Sequence, residues 1–414
     1  MFFSRILTAR SALPPDQTDS HKRTLVFLAV LMLINALSYG TIIPLLYPYA
    51  SRFGIDPLGL SFLFASFSLF QFLATPIIGR LSDIYGRRPL LLLSLLGTSL
   101  SLAFFASATS VLMLFLARIL DGITGGNMSV AQAVIADRVE GKERAKAFGL
   151  LGASFGFGFL IGPAIGGLLS EINITFPFWF AAGLALTATI FGYFFLEETL
   201  DDKNKKVRGD EPFFDFKAFV GVLKRPVMGM LMLTVLIISL AQNAFFIGFQ
   251  SYTVDVLMLS PREIGLLFAA SGLVNLLMQA VGIRVLLRKI TNHEHIILGA
   301  ELGAAALIGA LGFISNFSMF VAFLFVYMMF SGPILTIISG MISERASSKE
   351  QGGLLGINAS YMSLGQIGGP LMAGVVATYS IPGVFILGLV LFLVAFGVSL
   401  RASRKADLQA KVPA

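Results

Sequence analysis

The chain has 414 residues, of which 56% are hydrophobic and 13% charged. Soluble domains carry about 25% charged residues, so this chain lacks the polar surface to face water and reads as an all-α membrane protein. Its net charge of +7 would suggest nucleic acid in a soluble protein; here the basic residues report topology, and no nucleic-acid partner is expected. With no cysteine and 3 histidines, neither a disulfide framework nor a zinc site is expected.

A bilayer core takes about 20 apolar residues per helix. Twelve segments qualify: 24–49, 58–79, 89–108, 110–136, 146–170, 175–196, 227–254, 262–287, 294–314, 317–342, 351–378 and 381–401. This divides the chain into a tail (1–23), a six-helix bundle (24–196), a charged linker (197–226), a second six-helix bundle (227–401) and a closing tail (402–414). Of the 30 Lys and Arg, only Arg52 and Arg262 fall in connections on the side away from the termini, and Arg118 falls inside a span. The positive-inside rule then places both termini in the cytoplasm of a multi-pass protein of the cell (inner or plasma) membrane. In the linker, Pro212–Lys224 sets Phe213, Phe216, Phe219, Val220 and Leu223 near one helical face, as expected of a helix lying along the inner surface.

The two bundles are copies of each other. At an offset of 207 residues, Ile135–Gly167 aligns with Ile342–Gly374 without a gap. Gly158, Gly162 and Pro163 meet Gly365, Gly369 and Pro370, and Asp137-Arg138 meets Glu344-Arg345. Asn35-Ala36 and Gly40 match Asn243-Ala244 and Gly248 one residue out of phase. Two homologous halves around a midplane cavity suit alternating access, in which rocking exposes one site to each side in turn.

The fourth segment carries Arg118 and Asp121. Charges near mid-span are costly and commonly functional, and i, i+3 spacing puts the two on one face, where they can pair. Asp121 lies about 16 Å along the helix from its outer end, at 1.5 Å per residue. A carboxylate beside an arginine changes its proton affinity when the arginine moves, which is what proton coupling needs; a static pair that only positions the helix is the alternative. Glu301, in the ninth segment, is a second intramembrane acid and a weaker coupling candidate, with Arg284 or His295 as possible partners near the inner surface. Polar and aromatic residues at similar depth are the cavity candidates: Asn35, Tyr39, Phe155, Gln242, Asn243, Phe246, Gln250, Asn275, Gln279, Asn358 and Tyr361. Gly158, Gly162 and Gly166 line one face of the fifth segment, beside Pro163 and Gly167, and invite close backbone approach, expected against the eighth or tenth segment.

Between the second and third segments stands Gly79-Arg80-Leu81-Ser82-Asp83-Ile84-Tyr85-Gly86-Arg87-Arg88-Pro89. This resembles the loop signature of the major facilitator superfamily. Arg118 to Gly122 resembles the family's helix 4 element, and Gly158-x-x-x-Gly162-Pro163-x-x-Gly166-Gly167 resembles the antiporter signature of its drug:proton antiporter branch. Asp121 to Gly126, followed by Ile135-Ala136-Asp137, is similar to tetracycline-type and multidrug exporters. The resemblance spans essentially the whole chain and implies two pseudo-symmetric six-helix bundles. It also implies a conformational latch in which Asp83 caps the start of the eleventh helix and Arg87 pairs with Asp137, with Gly79, Gly86 and Arg88 shaping the loop. Tetracycline exporters have an acid where this chain has Asn35, and the third segment here has none. This departure leaves three options: antiport driven through Asp121, a substrate other than tetracycline, or uncoupled transport.

The expected function is proton-coupled efflux of small amphipathic compounds. Its alternatives are an importer, a uniporter or a lipid-precursor flippase of the same fold. The expected partners are a small-molecule substrate, protons and the lipid bilayer, for a protein working as a monomer. No Ser/His/Asp set or phosphate loop is visible, so neither enzymatic activity nor a cofactor is expected, and the proton gradient supplies the drive.

Overall fold

The computed structural model describes residues 15–139, 141–200, 216–290, 292–347 and 350–410. Most of the charged linker, including Phe213, lies outside these residues. Among the described residues, eleven helices are long and apolar enough to cross a membrane: α1 (Thr24–Phe53), α2 (Pro57–Tyr85), α3 (Arg87–Ala106), α4 (Val111–Arg138), α5 (Lys146–Leu169), α6 (Phe176–Phe195), α7 (Pro226–Val256), α8 (Pro261–Lys289), α9 (His293–Leu311), α10 (Phe317–Arg345) and α12 (Gly383–Lys405). The twelfth, α11 (Gln351–Ala377), has 27 residues, which spans a bilayer at 1.5 Å per residue. Its glycines, Asn358 and Gln366 make it the least apolar, and it sits between α7 and α2 rather than at the rim.

The main helix pairings of the first half recur in the second. The pairs α1–α5, α1–α6, α3–α6, α3–α4 and α2–α4 are matched by α7–α11, α7–α12, α9–α12, α9–α10 and α8–α10. The repeat extends to irregularities that the apolar pattern hides. The fourth and tenth segments read as continuous helices, yet each is broken at the equivalent place, after Thr124 and after Ser331. Gly125-Gly126 and Gly332-Pro333 occupy the two breaks, 207 residues apart. Carbonyls freed by such a break need donors in a membrane, and a side-chain amide from a neighbouring helix supplies one each time. Gln71 Nε2 donates to the Gly125 carbonyl at 3.1 Å, and Gln242 Nε2 donates to the Ser331 carbonyl at 3.0 Å.

The halves meet at the end away from the termini. A Cβ on Gly167 of α5 would lie 3.0 Å from the Arg262 carbonyl and 3.2 Å from Gly265 Cα, both of α8. At an offset of 207 residues the same seam appears between α11 and α2, where a Cβ on Gly374 would lie 3.2 Å from Leu58 Cα. Arg262 Nη1 donates to Glu171 Oε1 at 2.9 Å across the first seam. Between α1 and α7 the Tyr47 amide donates to Gln250 Oε1 at 3.2 Å, and the Tyr47 hydroxyl donates to Asp255 Oδ2 at 2.5 Å. At the other end, Gly79, Gly149, Gly152, Gly156, Gly352, Gly353 and Gly356 have no neighbour within 4 Å of where a Cβ would stand. The halves are joined at the end away from the termini, here called the loop end, and open toward the termini.

Candidate functional site

The helix 4 charges form the centre of the first bundle. Arg118 Nη1 donates to Asp121 Oδ2 at 3.0 Å, with the residues 3% and 4% exposed. The guanidinium carbon lies 4.1 Å from the centre of the Phe67 ring on α2, a cation–π contact that offsets part of the lost hydration. Arg118 Nε and Nη2 have no hydrogen-bond partner among the described residues. Thr98 and Ser101 of α3 flank the Asp121 carboxylate, with the Ser101 hydroxyl donating to the Thr98 carbonyl at 2.9 Å, and Tyr39 of α1 faces the pair. Gly122 permits this closeness: a Cβ there would stand 2.6 Å from the Phe67 carbonyl. A crevice between α1, α3 and α4, lined by Ile42, Leu46, Ser101, Phe105, Arg118 and Asp121, borders the pair on the loop side. Thr98, Ser101 and Phe67 escaped the sequence reading because serine, threonine and phenylalanine abound in every segment.

Aromatic rings bridge from this centre toward the second half. Tyr39 lies 5.7 Å from Phe67 and 6.5 Å from Phe159, which stacks on Phe155 at 6.1 Å. Phe64 of α2 meets Phe246 of α7 at 5.1 Å, and Phe246 meets Phe268 of α8 at 5.5 Å. Tyr39 and Phe155 thus belong to one ring cluster in the first half, and Phe246 to a second that bridges α2, α7 and α8. Asn35 is buried on α1, and Asn243 donates to the Ser239 carbonyl of its own helix at 2.8 Å.

Several cavity candidates have other duties. Gln242 stitches the break in α10. Gln250 is fully buried in the loop-end seam. Tyr361 turns to the linker, where its hydroxyl donates to the Phe219 carbonyl at 3.0 Å and the two rings stack at 4.4 Å. Phe219, in the short helix Phe216–Gly221, thus packs on α11 rather than facing a membrane surface. Asn358 donates to Ser339 at 3.1 Å, and Gln279 donates to Asn275 at 2.7 Å.

The glycine face of α5 also differs from expectation. Gly158, Gly162 and Gly166 press on α1 of their own half: a Cβ on Gly162 would lie 2.8 Å from Gly40 and Thr41 backbone atoms. Other residues of the same stretch reach α8: Pro163 and Gly167 at Gly265, and Leu160 at Gly272. Four-residue spacing keeps one face on one neighbour, and that neighbour is the helix the chain folds back upon. Gly149, Gly152 and Gly156 lie on the opposite face, toward open space.

At the termini end the loop motif forms one polar network. Arg87 pairs with Asp83, donates from Nε to Asp137 Oδ2 at 2.9 Å and from Nη1 to Ser82 Oγ at 2.7 Å. These contacts stay within the first half. Gly86 adopts φ +109°, a conformation that favours glycine. Glu198, after α6, accepts from the Arg87 amide at 2.9 Å and the Arg88 amide at 3.2 Å, and so caps α3. Arg88 Nη2 donates to the Tyr193 carbonyl at 2.5 Å, and Arg138 Nη2 donates to the Glu198 carbonyl at 3.0 Å. The sequence reading missed Glu198, although Glu197-Glu198 is an acidic pair on the arginine-rich side, which is a signal.

Glu301 does not reach Arg284 or His295. It is fully buried between helices, with Ser399 Oγ of α12 at 2.8 Å from its Oε1. The apolar depth of α9, eight residues from its start, separates it from the loop charges.

The family model described as Major Facilitator Superfamily matches residues 28–300 and 233–413. The chain is 31% identical over 392 residues to "Tetracycline resistance protein, class B" of Escherichia coli, covering 90% of this chain and 94% of that protein. It is 27% identical over 390 residues to "Multidrug resistance protein 2" of Bacillus subtilis (strain 168), covering 92% and 96%. Among solved structures, the nucleoside transporter NupG matches with a TM-score of 0.77 at 14% identity, over 92% of this chain and 99% of that one.

Proposed function

Because this chain belongs to the Major Facilitator Superfamily and is a multi-pass membrane transporter, we propose that it exports small amphipathic compounds in exchange for protons, with Asp121 as the group that takes up and releases the proton. The observation that carries this reading is the buried Arg118–Asp121 pair. A protonated Asp121 gives up its hold on the Arg118 cation, and the buried cation then needs a new partner. An inter-half rearrangement that moves Tyr39 and Phe67 offers that partner or withdraws it, so proton binding and helix packing become one equilibrium. The ring clusters that hold Tyr39 and Phe155 on one side and Phe246 on the other suit flat apolar groups. Tetracycline and multidrug resistance relatives support export. On this reading the termini end is cytosolic, the membrane is the cell membrane, the protein works as a monomer, and the structure has its cavity open to the cytosol.

A second reading, uncoupled transport, draws on Asn35, a neutral residue in α1. One experiment separates the two. Purified protein in proteoliposomes is loaded with a fluorescent amphipathic dye, and flux is followed with and without a pH gradient. Proton exchange requires gradient-accelerated flux in the native chain and its loss in Asp121→Asn. Equal flux with and without the gradient, or an unaltered variant, leaves uncoupled transport as the function.

A further inference from the structure

The second half holds a buried acid that the transport reading does not use. Glu301 is 0% exposed. Its Oε1 lies 2.8 Å from the Ser399 hydroxyl of α12, that hydroxyl lies 3.3 Å from the Thr234 hydroxyl of α7, and Thr234 donates to the Met230 carbonyl at 3.0 Å. Oε2 has no hydrogen-bond partner among the described residues. The charged groups on the elements packed around it are engaged elsewhere or stand at the surface. On its own helix, Glu294 pairs with Arg345 of α10 at 2.8 Å, and His293 stands 3.9 Å from Glu344. Arg401, Arg404 and Lys405 of α12 are exposed. α7 carries no charged residue between Pro226 and Ser251, and the nearest titratable neighbour on α10 at this depth, Tyr327, is buried among Phe245 and Phe392.

An ionised carboxylate with one hydroxyl donor and no cation would be badly solvated here. A neutral one fits the oxygens in sequence. The Glu301 O–H donates to Ser399, Ser399 donates to Thr234, and Thr234 donates to the Met230 carbonyl, so each donor has one acceptor and the chain ends on a backbone group. We propose that Glu301 is a proton-binding site of the second half, a neutral acid whose proton completes a hydroxyl chain tying α9 to α12 and α7. Its ligand is a proton held for packing rather than exchanged with substrate. Because an unfolded chain ionises this group above the ordinary carboxylate range while the folded chain keeps it neutral, unfolding releases a proton, and stability falls as pH rises.

Full-length native protein and Glu301→Gln in lipid nanodiscs provide the test, by infrared spectroscopy and thermal unfolding from neutral to alkaline pH. The native chain is expected to show a protonated-carboxyl carbonyl stretch at neutral pH that Glu301→Gln lacks. Its melting temperature is expected to fall toward alkaline pH more steeply than the variant's. Glu301→Gln keeps the native pH response of transport, unlike Asp121→Asn. Failure to find the missing band, or parallel alkaline falls, shows an ionised Glu301 and overturns the assignment. So does stabilisation of the native chain alone when sodium replaces choline, which marks a metal-cation site, or loss of the pH response of transport in Glu301→Gln, which marks a coupling site. If Glu301→Gln does not fold, Ser399→Ala reads the same chain: the carbonyl stretch shifts if Glu301 donates to Ser399, and an unshifted band overturns the proposal.

Discussion

The two halves share a fold down to their helix breaks, yet their buried chemistry differs. In the first, Asp121 has a counter-ion one turn away and an aromatic ring over that counter-ion. At an offset of 207 residues the same positions are Phe325 and Met328, and the acid of the second half, Glu301, stands on a different helix with hydroxyls alone around it. Duplication supplied a scaffold in which helix pairing is repeated, while the charges were placed in each half separately. An acid beside a cation can exchange a proton as the cation moves; an acid among hydroxyls is held in one state.

That contrast can be broken most forcefully at Arg118. Arg118→Met leaves Asp121 buried without its cation, and is expected to cost about 3–5 kcal/mol of stability. Thermal unfolding of the detergent-solubilised variant checks this, and restoration by the double change with Asp121→Asn is expected. A single variant as stable as the native chain would mean that the pair contributes nothing.

The two faces of α5 make a second contrast. Gly162→Val drives a side chain into the α1 backbone and is expected to cost about 1–3 kcal/mol. Gly152→Ala, on the face toward open space, is expected to be neutral or stabilising by up to about 1 kcal/mol. Equal effects in unfolding assays would contradict the assignment of the packed face.

The open and closed ends differ by a smaller step. Tyr47→Phe removes one bond to Asp255 across the halves, worth about 1 kcal/mol, or roughly a fivefold shift away from the loop-end-closed state. Since the chain has no cysteine, a single Gly356→Cys reports that population through its rate of thiol labelling. Labelling should slow when Tyr47→Phe is added; an unchanged or faster rate rules out the bond as a closing contact.

The smallest effect is expected at the surface. Arg225, with Ser347, holds the Glu350 carboxylate below its usual range. The contribution is present above the ordinary carboxylate range and is lost as pH falls through the lowered value. This pair is exposed, so Glu350→Gln should leave the melting temperature at neutral pH and moderate salt unchanged, and a clear drop would show a stronger role for the linker clamp.

Much of this was legible in the residues. Hydrophobic length marked all twelve spans, α11 among them, although its glycines and polar residues make it fall short on hydropathy. Apolar periodicity reads across the breaks in α4 and α10, and the equivalence of Gly125-Gly126 and Gly332-Pro333 at the 207-residue offset is seen only once the helices are known to break there. The Arg118–Asp121 pairing followed from their spacing on one helix. Partners on other helices were a different matter. Gln242, Gln250 and Tyr361 looked like cavity residues because any mid-span polar group does, and the helix that accepts its hydrogen bond is set by packing.

The sequence by itself determined the membrane class, the repeat, the family and the location of the first buried charge pair. These depend on composition and local spacing, which one strand of residues carries in full. Only the tertiary structure decided that the glycine face of α5 rests on α1, that Glu198 caps α3, that Glu301 meets Ser399, and that the halves are joined at the loop end and parted toward the termini. Each of these is a contact between helices distant in the chain, and a membrane helix presents every face to some neighbour or to lipid, with no polar-to-apolar gradient to say which.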